Sequence, residues 1–293
     1  MKPTFLATLA TSACLAAALT GCVTEPTVKT TDKKADSGTS SSGVANALSG
    51  LSSLGGAGSV GSDDKTSNLL GAAGDLAKAS SITDAEVKQM ALRYSKESDA
   101  SNKVAPASSP YAKRLAKLTG KLTRYDGMNL NYKVYMADTV NAFAMADGTV
   151  RVYSGLMDLM TDDELRFVIG HEIGHVKMGH SAASIRNAYQ SSALVKGATA
   201  VAAGSKGGSV VLSIGGDQLK GLFEKALTSA HSRGQESDSD AYSVKFLKAN
   251  KIPTKAASTA LLKLATGSRG STFLSTHPDP AARAEAVEVL AAK

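Results

Sequence analysis

The stretch Thr161–His180, TDDELRFVIGHEIGHVKMGH, decides the fold of this 293-residue chain. At its centre, His171-Glu172-Ile173-Gly174-His175 has the pattern HExxH, in which a helix presents two histidines one turn apart on the same face. Zinc prefers two such neutral nitrogens, a third protein ligand and an open position for water. Glu172 can then take a proton from this water and pass it to a leaving amine. The alternative, a helix with surface histidines, is disfavoured because the chain has only five histidines.

The residues before the motif predict the helix that carries it. Thr161 and Glu164 form a capping-box pattern, and the acidic first turn suits the positive end of the helix dipole. An apolar run then leads into the motif: Leu165, Phe167, Val168 and Ile169. We therefore expect a buried helix over about 162–179.

Two candidates offer a third metal ligand. His180 lies nine residues after His171, whereas the extended form of the motif places its third histidine ten residues after the first. The segment SRGQESDSD, which begins at Ser232, instead has Glu236 and Asp240 four residues apart on one helical face. Glu236 can bind the metal, and Asp240 can accept a hydrogen bond from the second nitrogen of a ligand histidine. The open alternative is a solvated acidic helix start.

Several further motifs accompany HExxH in a characteristic order. They are Asn-Ala-Phe-Ala at 141–144, Tyr-Ser-Gly-Leu at 153–156, HEIGHVKMGH, Ser-Arg-x-x-Glu-x-x-x-Asp from Ser232, and Ser-Thr-His-Pro at 275–278 followed by Arg283. Together they resemble the HtpX-like metallopeptidases, relatives of the CAAX prenyl endopeptidase, over about 115–290. The resemblance implies an α+β, mainly helical fold: a gluzincin-type metalloprotease domain with a small β-sheet beside the HExxH helix.

The resemblance also implies a site. One Zn²⁺ per chain would be bound by His171, His175 and Glu236, with Glu172 as the general base and Asp240 behind the ligands. Where this chain has a histidine at position 231, the family usually has an aromatic residue, so no role is assigned to it.

The C-terminal His-Pro motif has two interpretations. His277 either faces the zinc, where it stabilises the oxyanion or occupies the open position at rest, or joins Arg283 in pinning the last helix. We favour the position near the metal.

A second expectation concerns Asn141, Ala142, Phe143 and Ala144, which predict an edge strand that an extended substrate could join through main-chain hydrogen bonds. Ordinary core packing is the alternative for Phe143.

The N-terminus has the pattern of a targeting segment. A positive Lys2 precedes the apolar run at 5–19, which is typical of a secretory signal peptide. Leu-Thr-Gly-Cys at 19–22 resembles the lipobox of bacterial lipoproteins, which implies a signal peptide at 1–21 and acylation of Cys22. Val23 after the cysteine, by analogy with that family, points to the outer membrane, with the protein facing the periplasm. The alternative is a plain signal peptide cleaved nearby.

Composition divides the rest of the chain. Residues 22–80 are rich in Ser, Gly, Thr, Lys and Asp, which predicts a flexible tether. Residues 81–293 have the periodicity of a folded domain, with helices beginning near Ile82 and over 111–122. The Ala- and Gly-rich segment at 193–221 is too interrupted to cross a bilayer and is interpreted as a helical lid or insertion.

Turn and strand signals lie between these helices. Asp126-Gly127 and Asp147-Gly148 predict tight turns, and Tyr132, Val134 and Met136 alternate as in a strand. We expect a sheet of about three strands.

The formal net charge of +7 is spread along the sequence and is not interleaved with aromatic residues. This disfavours nucleic acid as a partner and favours anionic lipid surfaces. The interpretation is a membrane-anchored zinc endopeptidase, and the resemblance implies misfolded or unassembled envelope proteins as its substrates. Two alternatives remain: a non-catalytic zinc-containing binding or assembly lipoprotein, and a hydrolase of a non-peptide bond such as a cell-wall amide.

Overall fold

A computed structural model describes residues 82–202, 216–267 and 272–293. The predicted signal peptide, Cys22 and the whole of the predicted tether lie outside these residues. So do residues 203–215 of the predicted lid, whereas the backbone of 193–202 continues a helix. In the part of the chain that the structure describes, no helix has the length and apolar character that crossing a membrane requires.

Helices dominate the described residues, as expected. They are α1 (Asp84–Ser101), α2 (Pro110–Thr119), α3 (Ser154–Leu159), α4 (Asp162–Lys177), α5 (His180–Ala202), α6 (Asp217–Thr228), α7 (Arg233–Ala249), α8 (Lys255–Gly267), α9 (Thr272–Thr276) and α10 (Pro280–Ala292). The strands are β1 (Arg124–Tyr125), β2 (Met128–Asn129), β3 (Asn131–Tyr135), β4 (Ala142–Ala144) and β5 (Thr149–Tyr153). The predicted mainly helical fold with a small sheet is confirmed.

Both predicted turns connect neighbouring strands. β1 and β2 pair antiparallel across Asp126-Gly127, whose positive φ angles of 49° and 77° suit a tight hairpin turn. The larger sheet has the order β3-β5-β4, with β5 parallel to β3 and antiparallel to β4. Asp147-Gly148 joins β4 to β5, and Gly148 has a φ of 89°. β4 is therefore an edge strand.

Capping boxes explain where three helices begin. In each box, the hydroxyl of the capping residue accepts a hydrogen bond from the backbone N–H three residues later. The side chain of that later residue accepts a hydrogen bond from the backbone N–H of the capping residue. The pairs are Thr83 with Glu86 for α1, Thr161 with Glu164 for α4, and Ser232 with Gln235 for α7. The HExxH helix ends at Lys177, two residues before its predicted end, because Gly179 adopts a φ of 76° that reverses the chain into α5.

The HExxH helix packs closely against α7. A Cβ atom on Gly174 would lie only 3.2 Å from the Cα of Ser239, so the backbones approach where both residues are small. About two turns before Gly174 on the HExxH helix, the carbonyl of Phe167 accepts a 2.6 Å hydrogen bond from the Ser243 hydroxyl of α7. α8 packs on α4, and α10 packs on both α7 and α8. This close approach brings the acidic face of α7 to the two motif histidines.

A second apolar cluster joins α1, α5 and α6. Tyr94 of α1 stacks on Phe223 of α6 with ring centroids 4.5 Å apart. α1 is also tied to the sheet, because Asp99 receives hydrogen bonds of 2.8 and 2.9 Å from the buried guanidinium of Arg151. The first helix is thus part of the folded domain.

Candidate metal centre

The two motif histidines point the same way from α4. The Nε2 atoms of His171 and His175 are 3.0 Å apart, and each residue is 1% exposed. Burial lowers the pKa of His175 far below its ordinary value, although the hydrogen bond with Glu236 opposes this shift. His175 is therefore a neutral imidazole, which can offer a lone pair to a metal.

Glu236 joins them from the first turn of α7. Its Oε1 lies 3.3 Å from Nε2 of His175, and its Oε2 lies 3.6 Å from Nε2 of His171. Burial alone would raise the pKa of Glu236, but hydrogen bonds with His175 and His277 outweigh it and lower the pKa below its usual range. An ionised carboxylate therefore faces the motif histidines.

The donor atoms suit a metal ion. Ligand atoms of His171, His175, Glu236 and His277 all lie within 4.8 Å of one another. Zinc–nitrogen bonds of about 2.0–2.1 Å place the corners of a tetrahedron about 3.3 Å apart. The distances of 3.0 Å between the two motif nitrogens and 3.3 Å from His175 to Glu236 are close to this value.

Asp240 and Arg283 lie behind this donor group. Asp240 Oδ1 is 2.9 Å from Nδ1 of His171, so the imidazole donates from Nδ1 and keeps its Nε2 lone pair free. Arg283 on α10 donates to Asp240 from Nε and Nη2 at 2.8 and 2.7 Å, and it also bonds Glu236 from Nη1. Burial would raise the pKa of Asp240, but the hydrogen bonds from Arg283 and His171 lower it overall.

The buried charges also favour a divalent cation. Glu172, Glu236 and Asp240 are all 3% exposed or less, and Arg283, which is 9% exposed, pairs with Glu236 and Asp240. When all three carboxylates are ionised, the group carries two excess negative charges. Uncompensated buried charge is costly, and a divalent metal would remove the excess.

His277 lies among the donor atoms. Its Nδ1 is 3.3 Å from Nε2 of His171 and 3.1 Å from Oε1 of Glu236, and its Nε2 is 3.5 Å from Oε1 of Glu172. The structure thus brings His277 to the site, while Arg283 holds α10 against the two carboxylates of α7.

Glu172 has the environment of a base. Burial raises the pKa of this carboxyl group, and the neighbouring His277 and His171 oppose the shift. Its Oε1 is buried and has no hydrogen-bond partner among the described residues. A backbone hydrogen bond from Ala144 holds the same side chain, which links it to the edge strand. The carboxylate is therefore fixed in place and has an oxygen free to receive a proton.

A cavity of about 370 Å³ opens beside these residues. Glu172, His175 and His277 line it together with all of β4. Helix α1 contributes Tyr94 and Ser98 to its wall.

The edge strand β4 presents backbone groups toward its free side. Asn141 accepts a 3.0 Å hydrogen bond from the backbone of Tyr153, and partners alternate along an antiparallel strand. The N–H and C=O groups of Ala142 and Ala144 therefore point away from β5. The Ala144 carbonyl accepts a 3.0 Å hydrogen bond from Ser181 Oγ, which fixes this end of the strand against α5.

Two further histidines belong to this cluster: His180, the disfavoured candidate for the third ligand, and His231, to which the sequence assigned no role. His180 Nδ1 lies 3.1 Å from Nδ1 of His175, and His231 stacks on the His175 ring with centroids 3.9 Å apart. Burial lowers the pKa of both rings, that of His231 to about 4. The sequence contained one indication that His231 lies near the donor group. His231 immediately precedes Ser232, the capping residue of the helix that carries Glu236.

The comparisons with known proteins agree with this geometry. The model of Peptidase family M48 matches residues 112–291. Metalloprotease LoiP of Escherichia coli K12 is 42% identical over 75% of this chain and 86% of its own length, and Metalloprotease YcaL of the same strain is 41% identical over 71% and 81%. A Protease HtpX homolog from Sulfurovum is 36% identical over 28% of this chain and 34% of its own.

The family model spans more than half of the chain, and it includes the HExxH helix, the acidic helix and the His-Pro motif. The longest alignments are with metalloproteases, which argues against a non-catalytic binding protein. The chain therefore belongs to Peptidase family M48, in its HtpX-like branch, and is a metalloendopeptidase.

Proposed function

We propose that this metalloendopeptidase is a zinc enzyme, anchored at the outer membrane through Cys22, that cleaves misfolded or unassembled envelope proteins in the periplasm. The observation that carries the catalytic part is the convergence of His171, His175 and Glu236, with the free oxygen of Glu172 beside them.

His171, His175 and Glu236 would hold the zinc, in the arrangement of two imidazoles and one carboxylate that catalytic zinc sites use. When bound, zinc supplies Lewis acidity, which polarises a peptide carbonyl and lowers the pKa of water to about 7. Asp240 fixes the orientation of His171 from behind, at 2.9 Å.

Glu172 moves the proton in this mechanism. Its raised pKa makes the carboxylate a stronger base, and its unpaired Oε1 can accept a proton from the attacking water. The protonated side chain then delivers the same proton to the departing amine nitrogen. Its backbone bond to Ala144 keeps it beside the strand on which the substrate would lie.

The remaining predicted residues orient the substrate. His277 lies 3.5 Å from Glu172, and an N–H of its ring would stabilise the negative charge that develops on the carbonyl oxygen. An extended chain would pair with the outward backbone groups of Ala142 in β4. Such pairing recognises the backbone of the substrate rather than its side chains, so it would accept unfolded proteins of varied sequence.

Digestion of casein tests the catalytic proposal. The full chain, purified in mild detergent, should cleave casein, and Glu172→Gln should lower the rate by about 10²–10⁴-fold because the general base is lost. Both proteins should retain one zinc per chain by elemental analysis. Glu224→Gln, which alters another carboxylate that lines the cavity, is the matched control and should remain active. Full activity of zinc-loaded Glu172→Gln would refute the base assignment.

Fractionation of cells tests the anchor. Acyl chains contribute about 0.8 kcal/mol per buried methylene, so a lipidated Cys22 should hold the protein in the outer membrane. Cys22→Ser should release it into the soluble periplasmic fraction. An unchanged membrane fraction in this variant would contradict anchoring through Cys22.

A further inference from the structure

All five histidines of the chain gather at one place. His171, His175 and His277 belong to the donor group. His231 contacts His175 through the face of its ring, with 25° between the ring planes. His180 makes a different contact, because its Nδ1 lies 3.1 Å from Nδ1 of His175.

The position of the proton on His175 follows from its surroundings. Its Nε2 faces Nε2 of His171 at 3.0 Å and Oε1 of Glu236 at 3.3 Å, so this is the nitrogen that must offer a lone pair to a metal. The single proton of the neutral ring then resides on Nδ1. The atom that faces Nδ1 is Nδ1 of His180, which can accept this hydrogen bond and keep its own proton on Nε2.

His171 is held in a comparable way. Its Nδ1 lies 2.9 Å from the Asp240 carboxylate. Partners of this kind fix the tautomer and the ring orientation of metal-binding histidines. We propose that His180 is the positioning residue for His175: it accepts the Nδ1 hydrogen bond and keeps Nε2 directed at the metal. This inference rests on the zinc site of the proposed function.

Local structure places His180 for this role. The positive φ of Gly179 turns the chain between α4 and α5, so the first residue of α5 returns to the last turn of α4. The adjacent Ser181 bonds the Ala144 carbonyl at 3.0 Å, which fixes the start of α5 against β4. A ring at position 180 is therefore held beside His175 by backbone geometry.

The geometry distinguishes this role from metal binding by His180. Within the described residues, the convergent donor group contains Glu236 and His277 but not His180. His180 approaches Nδ1 of His175, the ring nitrogen that does not face His171 and Glu236.

Zinc affinity provides the test. The purified full chain, His180→Leu, His180→Asn and His231→Phe are titrated with zinc against a chromophoric chelator. His180→Leu removes the acceptor and should weaken zinc binding by about 10–100-fold. The amide oxygen of His180→Asn can accept the same bond and should restore the affinity to within about threefold of the wild type. His231→Phe keeps a ring against His175 and is the matched control, with unchanged affinity.

Melting of the zinc-free proteins separates folding from metal binding. The zinc-free His180 variants should melt near the wild type, because His180 is only half-buried. Should His180→Leu fail to fold, the smaller His180→Ala takes its place. The inference is overturned if the apolar variant binds zinc as the wild type does, or if His180→Asn loses as much affinity as His180→Leu. Failure of the wild type itself to bind zinc would instead overturn the proposed function.

Discussion

At the scale of single residues, the partner of one imidazole nitrogen decides what the other nitrogen can do. For His171 this partner is Asp240, which is itself held by Arg283 through two hydrogen bonds of 2.8 and 2.7 Å. Arg283 also bonds Glu236. Burial would lower the pKa of Arg283, but the interaction with Asp240 raises it overall, so the guanidinium stays charged. One cation thus stabilises a metal-binding carboxylate and the carboxylate behind it.

Arg283→Met should therefore destabilise the protein strongly. Removing one partner of a buried ion pair leaves the other uncompensated, which costs about 3–5 kcal/mol of unfolding free energy. The loss should be larger in EDTA than in zinc, because a bound dication offsets part of the freed negative charge. Urea unfolding in EDTA and in zinc measures this loss of unfolding free energy. Arg283→Lys is the control, because it keeps the positive charge. Equal stability of Arg283→Met and wild type would contradict this role.

At the scale of elements, the site exists because α4 and α7 approach closely. Gly174 lies between the ligand-bearing positions of the motif, and its Cβ would meet Ser239 and Tyr242 at 3.2 Å. Because Glu236 lies one turn before Ser239 on α7, the distance between the helices sets how far its carboxylate lies from His175. The small residues at this contact thus determine how far the Glu236 carboxylate lies from the two motif histidines.

Gly174→Val should separate these two helices. A branched side chain at this contact overpacks it, at a cost of about 1–3 kcal/mol. It should also weaken zinc binding, because Glu236 moves away from His171 and His175. Gly221→Val is the matched control, since a Cβ at Gly221 in α6 meets nothing within 4 Å. Thermal unfolding and zinc titration of both variants measure the effect, and similar behaviour of the two would argue against a role for close packing.

Local sequence patterns were sufficient for the elements but not for the full cluster. The capping residues Thr161 and Glu164 predicted where α4 begins, and Asp126-Gly127 predicted the turn between β1 and β2, because caps and turns depend on a few neighbouring residues. The contacts of His180 and His231 with His175 were not predicted. They depend on the chain reversal at Gly179 and on the docking of α7, which are set by packing between distant segments.

At the scale of the whole molecule, the folded domain extends beyond the segment that matches the family. The match begins at residue 112, yet α1 precedes it and adds Tyr94 and Ser98 to the wall of the cavity. The attachment of α1 to the sheet runs through Asp99, which accepts from Arg151 and, at 2.7 Å, from Lys133. This ion pair joins the helix to the catalytic part of the chain, so we expect it to affect both stability and the shape of the cleft.

Asp99→Asn should lower the unfolding free energy at neutral pH by about 3 kcal/mol, because Arg151 is buried and loses its counterion. Burial would raise the pKa of Asp99, but hydrogen bonds from Arg151, Lys133 and Tyr135 lower it overall. A lowered folded-state pKa means that the carboxylate stabilises the protein above its ordinary pKa of about 3.9 and loses this effect as the pH falls through the folded value. Wild type and variant should therefore differ fully at pH 7, begin to converge below about pH 4, and coincide only below the lowered pKa of Asp99 in urea unfolding. Glu97→Gln, an exposed change on the same helix, is the control, and its unfolding free energy should stay near that of the wild type at every pH. If the difference in unfolding free energy between Asp99→Asn and the wild type stays constant with pH, packing rather than charge holds α1.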